Sequence, residues 1–377
     1  MSPFPSKFLF FSFFLIFFSR SFSQTKPTLL IFDSSKVCDG YLLWQDKTKC
    51  QLMDRKGNVL YNFPGNLCSF FYNKNEIVTH VAGNLTTYNK NLDVIWKVST
   101  YIDHELVVTP QNNILLYAVD YDSINHMLVR FDKIRCFDST GRELYQWSTL
   151  AEHRYLLNFV MNDKNIFRYN IKGSHDPDSV LYKIAPSLTG ITRNFADREF
   201  FHMNSIQVIP ANESEKKDSV FRRGNLLLSF CNYNDSLVSF IAIVDPNSYK
   251  ILWYYVQNDG KQMHTPGMLP NGNILMYVNS DCRNAVDSSF IDEINPVTKT
   301  VVWNYVERLP DVAVRCSHGS CQRLPNGNTL IANINGYIYE VTPQKKIVWQ
   351  WHTVDAKHLY RAFLYPKEKL QWIVDEQ

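Results

Sequence analysis

The 377-residue sequence predicts an all-β protein. The expected architecture is a β-propeller of six or seven four-stranded blades, a single domain behind a cleaved signal peptide. Three observations predict it. A turn of the Pro-Asn-Gly-Asn type recurs at a spacing of about fifty residues, each copy followed by β-rich runs. A tryptophan closes most of these repeats. No segment keeps a 3.6-residue apolar period over the length of a helix. The composition of 45% hydrophobic, 14% aromatic and 20% charged residues excludes a disordered chain. A formal net charge of only +3, with no Lys/Arg block, excludes a nucleic-acid footprint.

The chain opens on an address. Lys7 precedes an apolar run from Phe8 to Phe18 broken only by Ser12, and nine of the 25 Phe lie before residue 23. Such a run is too short to span a bilayer but fits a secretory h-region, and Ser21-Phe22-Ser23 offers a small-x-small cleavage pattern. Residues 1–23 therefore read as a signal peptide and 24–377 as the propeller domain. No cysteine follows the leader to carry a lipid and no later segment reads as membrane-spanning. The expected product is periplasmic or secreted, without a membrane anchor.

The repeats follow in order. Units around Asp54 to Phe63 and Asn89 to Trp96 show a turn and then a strand. Val108-Thr-Pro-Gln-Asn-Asn-Ile-Leu-Leu116 leads to Asp138 and Trp147. Ser187-Leu-Thr-Gly190 is the faintest unit. Val208-Ile-Pro210, an insert and Gly224-Asn-Leu-Leu-Leu228 lead to Trp253. The clearest copies are Leu269-Pro-Asn-Gly-Asn273, leading to Asp292-Glu293 and Trp303, and Leu324-Pro-Asn-Gly-Asn328, leading to Glu340 and Trp349. Pro fixes φ while Asn and Gly accept positive φ, so these are turns between strands. No lone blade can bury both faces, so blades stack radially and the ring closes. Trp96, Trp147, Trp253, Trp303 and Trp349 are expected to pack between blades. The closing blade should join the strands before Phe63 to the segment 359–372, where Tyr360-Arg-Ala-Phe363 reads chiefly as a seal and secondarily as an arginine at the channel mouth.

Eight cysteines, an even number in an exported chain, permit disulfides, with pairs such as Cys38–Cys50 open and buried thiols equally open. Asn84, Asn212 and Asn234 begin glycosylation sequons. There is no Gly-rich phosphate loop, no GxSxG elbow and no HExxH.

In a propeller the innermost strand of each blade lines the central channel, and residues just before it converge on one mouth. Four of the ten histidines hold that position: His104 and His264 six residues before the strand's Pro, His202 eight before and His318 seven before. The odd offset of His318 requires a bulge or a different approach to the strand. Hydrogen bonds to turn carbonyls would explain histidines there, most simply for His104. Metal ligation is a second reading, but no cluster of Asp, Glu or Cys at ligand spacing stands near them, so no metal site is assigned.

Phe201-His-Met-Asn-Ser205, Gln262-Met-His264, Asn279-Ser-Asp-Cys-Arg283 and Ser317-His-Gly-Ser320 follow one another in order. With Glu293-Ile294 and Val302-Trp-Asn-Tyr305, they give residues 195–352 a pattern that resembles the aryl-sulfate sulfotransferases, exported bacterial β-propeller enzymes. The family's Asp-Asn before the arginine turn reads Val278-Asn279 here. The resemblance implies sulfuryl transfer from an aryl sulfate to a phenolic acceptor through a sulfohistidine, without any cofactor. It makes His318 the nucleophile, has His202, His264 and Arg283 hold the sulfate oxygens, and adds Asn204, Asn279 and His104 as substrate-binding residues. The chemistry is coherent. A neutral imidazole is a competent nucleophile, and convergent donors suit charge spread over equatorial oxygens. The alternative is a non-catalytic propeller that binds a ligand or a protein at its channel mouth. A quinone-dependent dehydrogenase would need calcium-binding acids and docking repeats not found in the sequence.

Overall fold

The computed structural model describes residues 28–124, 127–152, 155–156, 159, 198–199, 202–230, 239–257, 261–279, 289–307, 318–353 and 359–374. The segment expected to be a signal peptide, the Ser187 unit and Arg283 lie outside these residues. Six antiparallel sheets follow one another around a ring, so of the two expected blade counts six is the one observed. Blade II is built from Leu67–Phe70, Ile77–Val81, Asn84–Tyr88 and Val94–Ser99. Blade III has Leu106–Val108, the long hairpin Ile114–Ile124 with Met127–Phe137, and Glu143–Ser148. Blades IV, V and VI start on the inner strands Met203–Val208, Gln262–Met268 and Ser320–Arg323 and end on the outer strands Ile251–Val256, Thr300–Val306 and Ile347–His352.

The ring closes twice. Blade I takes Tyr41–Gln45, Cys50–Met53 and Val59–Phe63 from the start of the chain and its inner strand, Arg361–Tyr365, from the end. Thr28–Phe32 adds a fifth strand to the outer edge of blade VI, a closure the repeats do not announce. The segment expected to seal the last blade also divides. After the strand it turns into a helix, Lys367–Val374, so Trp372 is helical.

Each blade has two buried faces, which is why strands such as Leu226–Phe230 and Ile274–Asn279 are buried at every position. Alternate residues serve opposite neighbours. Leu226, Leu228 and Phe230 pack toward blade III, while Leu227 packs toward blade V. The core is accordingly six inter-blade clusters rather than one.

The rim repeats one contact. The indole Nε1 of Trp96 donates to Ser139 O at 3.0 Å, Trp253 to Pro296 O at 3.0 Å, Trp303 to Pro343 O at 2.9 Å and Trp349 to Arg55 O at 2.7 Å, each reaching the outer turn of the next blade. Trp147 stacks on Tyr249 of the next outer turn with centroids 4.7 Å apart, and Tyr61 fills the remaining junction by donating to Lys90 O. Gly141 is needed beneath Trp96. Its φ is +86°, and a Cβ there would lie 2.7 Å from the indole.

The turn motifs have a matching anchor. Asn271 and Asn273 donate to Glu293 at 3.1 and 2.7 Å, and Asn326 and Asn328 donate to Glu340 at 3.4 and 2.6 Å. A carboxylate on the third strand thus holds both amides of Pro-Asn-Gly-Asn, a charge-assisted clamp.

Among the described residues one disulfide joins Cys50 to Cys68, linking blades I and II, and Cys38 is a buried free thiol. The Cys38–Cys50 pairing considered from the sequence is therefore not formed. Cys50 faces the blade II neighbour, whereas Cys38 packs in the core between blades VI and I.

Candidate functional site at the channel mouth

Inner strands all run from one mouth of the channel to the other, so the residues that begin them meet. His104, His202, His264 and His318, supplied by blades III, IV, V and VI, line one pocket together with Asn204, Thr265, Tyr360 and Arg361.

His104 and His202 are in direct contact, Nε2 to Nε2 at 2.8 Å with ring centroids 4.7 Å apart. Such a contact needs one donor and one acceptor. Asp103 Oδ1 lies 3.2 Å from His104 Nδ1 and accepts its proton, which leaves His104 Nε2 as the acceptor and His202 Nε2–H as the donor. Burial on its own would raise the Asp103 carboxyl. The contact with His104 and the paired Arg130 outweigh that and hold it well below the usual range. Arg130 also donates to Tyr117 Oη at 3.1 Å, Tyr117 bonds Asp132, and Asp132 Oδ2 accepts Met203 N at 3.1 Å, beside His202. The half-buried Asp103 and the buried Asp132 thus fix the histidine pair from both sides.

His264 is buried. Asn279 Nδ2 stands 2.9 Å from its Nδ1, and as the donor it places the ring proton on Nε2. Burial, aided by the neighbouring His202 and His104, lowers this imidazole to about 3, so it is neutral at physiological pH. Asn279, expected at the substrate, therefore stands behind His264. Asn204 lines the pocket, and its backbone carbonyl accepts from Arg361 Nη2 at 2.9 Å.

His318 reaches the pocket by its own route. It precedes its strand in the left-handed region, φ +64°, followed by Gly319 at φ +127°. This accounts for its one-residue offset without a bulge in its own strand; blade V has the bulge instead, between His264 and Gly267. A Cβ on Gly319 would fall 2.4 Å from Tyr277, so glycine is obligatory there. Of the eight described non-glycine residues at positive φ, six sit in outer or hairpin turns and the other two, Thr265 and His318, line this pocket. For a β-branched residue such as Thr265 that conformation costs on the order of 1–2 kcal/mol. The His318 ring lies 4.6 Å from that of Tyr360 and 6.4 Å from that of His104.

Arg361 and Tyr360 are the site residues that the sequence reading placed second. Arg361 opens the inner strand of blade I and pairs with Glu105 in mid-channel. Burial brings its guanidinium down to about 9, which still leaves it charged at neutral pH. Asp103 was not anticipated at all. Among the described residues, no group of three His, Cys, Asp or Glu side chains is arranged to hold a metal ion.

No protein-family profile matches the chain, and no curated protein matches it. Solved structures do. A protein of unknown function from Bacteroides caccae aligns over 86% of this chain and 98% of its own, with a TM-score of 0.50 and 13% identity. The Dos1 propeller aligns over 90% of this chain and 75% of its own, with a TM-score of 0.42 and 9% identity. BamB from Moraxella catarrhalis covers 88% and 78%, with a TM-score of 0.34 and 10% identity. At such identities the likeness is one of fold, and the chain is a six-bladed β-propeller.

Proposed function

We propose that the protein is an exported aryl-sulfate sulfotransferase that works through a sulfohistidine on His318. The observation that carries this reading is the meeting of four histidines from four blades in one pocket with Arg361. In the first half-reaction a nitrogen lone pair of neutral His318 attacks sulfur and the S–O bond to the aryl group breaks. The His104–His202 pair, carrying one extra proton, gives that proton to the departing phenolate. In the second half a phenolic acceptor attacks sulfur, its O–H proton returns to the pair, and the S–N bond breaks to restore His318. The pair suits both directions because it can gain or lose one proton while Asp103 holds its orientation, the behaviour of a general acid–base. His264, fixed neutral with a donor Nε2–H, and Arg361 serve as ligands for the sulfate oxygens. Arg283 is a further candidate for that role.

The test is release of nitrophenol from 4-nitrophenyl sulfate with phenol as acceptor, by wild type and by His318→Asn. Wild-type turnover that falls by about 10³-fold or more in the variant is expected, as for loss of a covalent nucleophile. Absence of release by wild type would leave a ligand-binding propeller, and full activity in the variant would move the nucleophile elsewhere.

A further inference from the structure

Beyond Thr265 and Arg361 the channel widens into a cavity of about 420 Å³ that opens at the opposite mouth, lined by the inner strands of all six blades. Its charges are unequal. Arg361 is paired with Glu105, and Arg323 with Glu293 at 2.7 Å. The third cation, Lys369, has no such partner among the described residues, and burial alone lowers its ammonium.

Lys369 is placed, not dangling. The C-terminal helix that carries it is pinned by Leu370 and Ile373, both buried in the core between blades I and II. Its Nζ lies 3.8 Å from the ring centroid of Tyr72 and 5.2 Å from that of Tyr365. Phe363 lines the same wall. Across the cavity, Gln207 is fixed through Oε1 by the Met268 N–H at 2.7 Å, and its amide nitrogen turns over Gly267, 3.5 Å from where a Cβ would sit. An ammonium with no carboxylate partner among the described residues, set among aromatic faces in a pocket the size of a small ligand, is complementary to an anion with an aromatic body.

We propose that this wide end of the channel is a second ligand site for a small aromatic anion, with its ring against Tyr72, Phe363 and Tyr365 and its acid group on Lys369 Nζ. The assignment does not depend on sulfuryl transfer at the other mouth. Benzoate is the probe, titrated calorimetrically into the full mature chain, with benzamide as the neutral counterpart. One saturable site for benzoate is expected, with benzamide at least tenfold weaker. Lys369→Met should weaken benzoate at least tenfold with an unchanged melting temperature, and Lys369→Arg should retain it. His318→Asn should leave benzoate affinity as in wild type. The proposal is overturned by absence of benzoate binding, by equal affinity for benzamide, by full affinity in Lys369→Met, or by loss of binding in His318→Asn, which would put the anion at the histidine mouth.

Discussion

Around the rim, each blade meets the next through one recurring contact, an aromatic side chain on the outer strand against the neighbour's outer turn. At the channel mouth the corresponding positions, histidines in blades III to VI and Arg361 in blade I, are each held in a different way. The rim contacts do the same physical work at every junction, so the chain keeps the same residue type there. The mouth positions share an address but not a task. Three of the four histidines have distinct partners: Asp103 for His104, His104 for His202 and Asn279 for His264. His318 is the exception in backbone form, held at positive φ against Tyr360. Repetition marks what builds the ring, and divergence marks what uses it.

This contrast can be broken experimentally from either side. The largest effect belongs to the mouth, where His318→Asn should remove aryl-sulfate turnover by about 10³-fold while leaving the melting temperature within a degree or two of wild type. A large drop in melting temperature would make His318 a structural residue and erase the distinction.

At the rim the order reverses, with stability lost first. Trp349→Ala at the closing junction empties a fully buried site that donates to Arg55 O and lies 4.0 Å beneath the Arg55 guanidinium. Denaturant titration should show a loss of about 3–5 kcal/mol. Trp303, only partly buried at the same rim position, should cost visibly less on the same substitution. Equal losses would mean that the junctions do not differ by burial.

The histidine mouth also contributes a pH dependence that the rim does not. Burial lowers His264 to about 3 from the usual 6.5, so between those values the unfolded chain binds the proton that the folded chain refuses. Stability must then fall as pH is lowered, by roughly 3 kcal/mol from pH 6.5 to pH 4. Asp103, whose carboxyl is held down, adds a loss of the same sign at lower pH. Melting temperatures of His264→Gln should decline less steeply across that interval, and an identical slope would show that His264 is not the group involved. The smallest effect expected is Gly141→Ala, about 1–3 kcal/mol by denaturant titration, since it sets a Cβ against Trp96 in a left-handed turn. No measurable loss would show that this turn has room to give.

What could be read along the chain followed from distance in sequence. Turn chemistry, tryptophan spacing and the offset of each histidine from its turn are all local, so the blades and four mouth residues were legible. Tyr61 escaped because it fills the tryptophan's place with another aromatic. Arg361 was underweighted because blade I is assembled from both ends of the chain, so its inner strand stands out of repeat order. Asp103 was missed because neighbours on a strand point to opposite faces, and only the irregular backbone ahead of Leu106–Val108 lets it reach the imidazole beside it.

The sequence by itself determined the architecture, through short-range preferences that each repeat expresses without the others. Ring closure decided the rest: six blades rather than seven, the seating of Thr28–Phe32 on blade VI and the placing of Lys369 on the wall of the wide cavity. Those outcomes join residues far apart in the chain, and no local preference encodes a distance that exists only once the circle is complete.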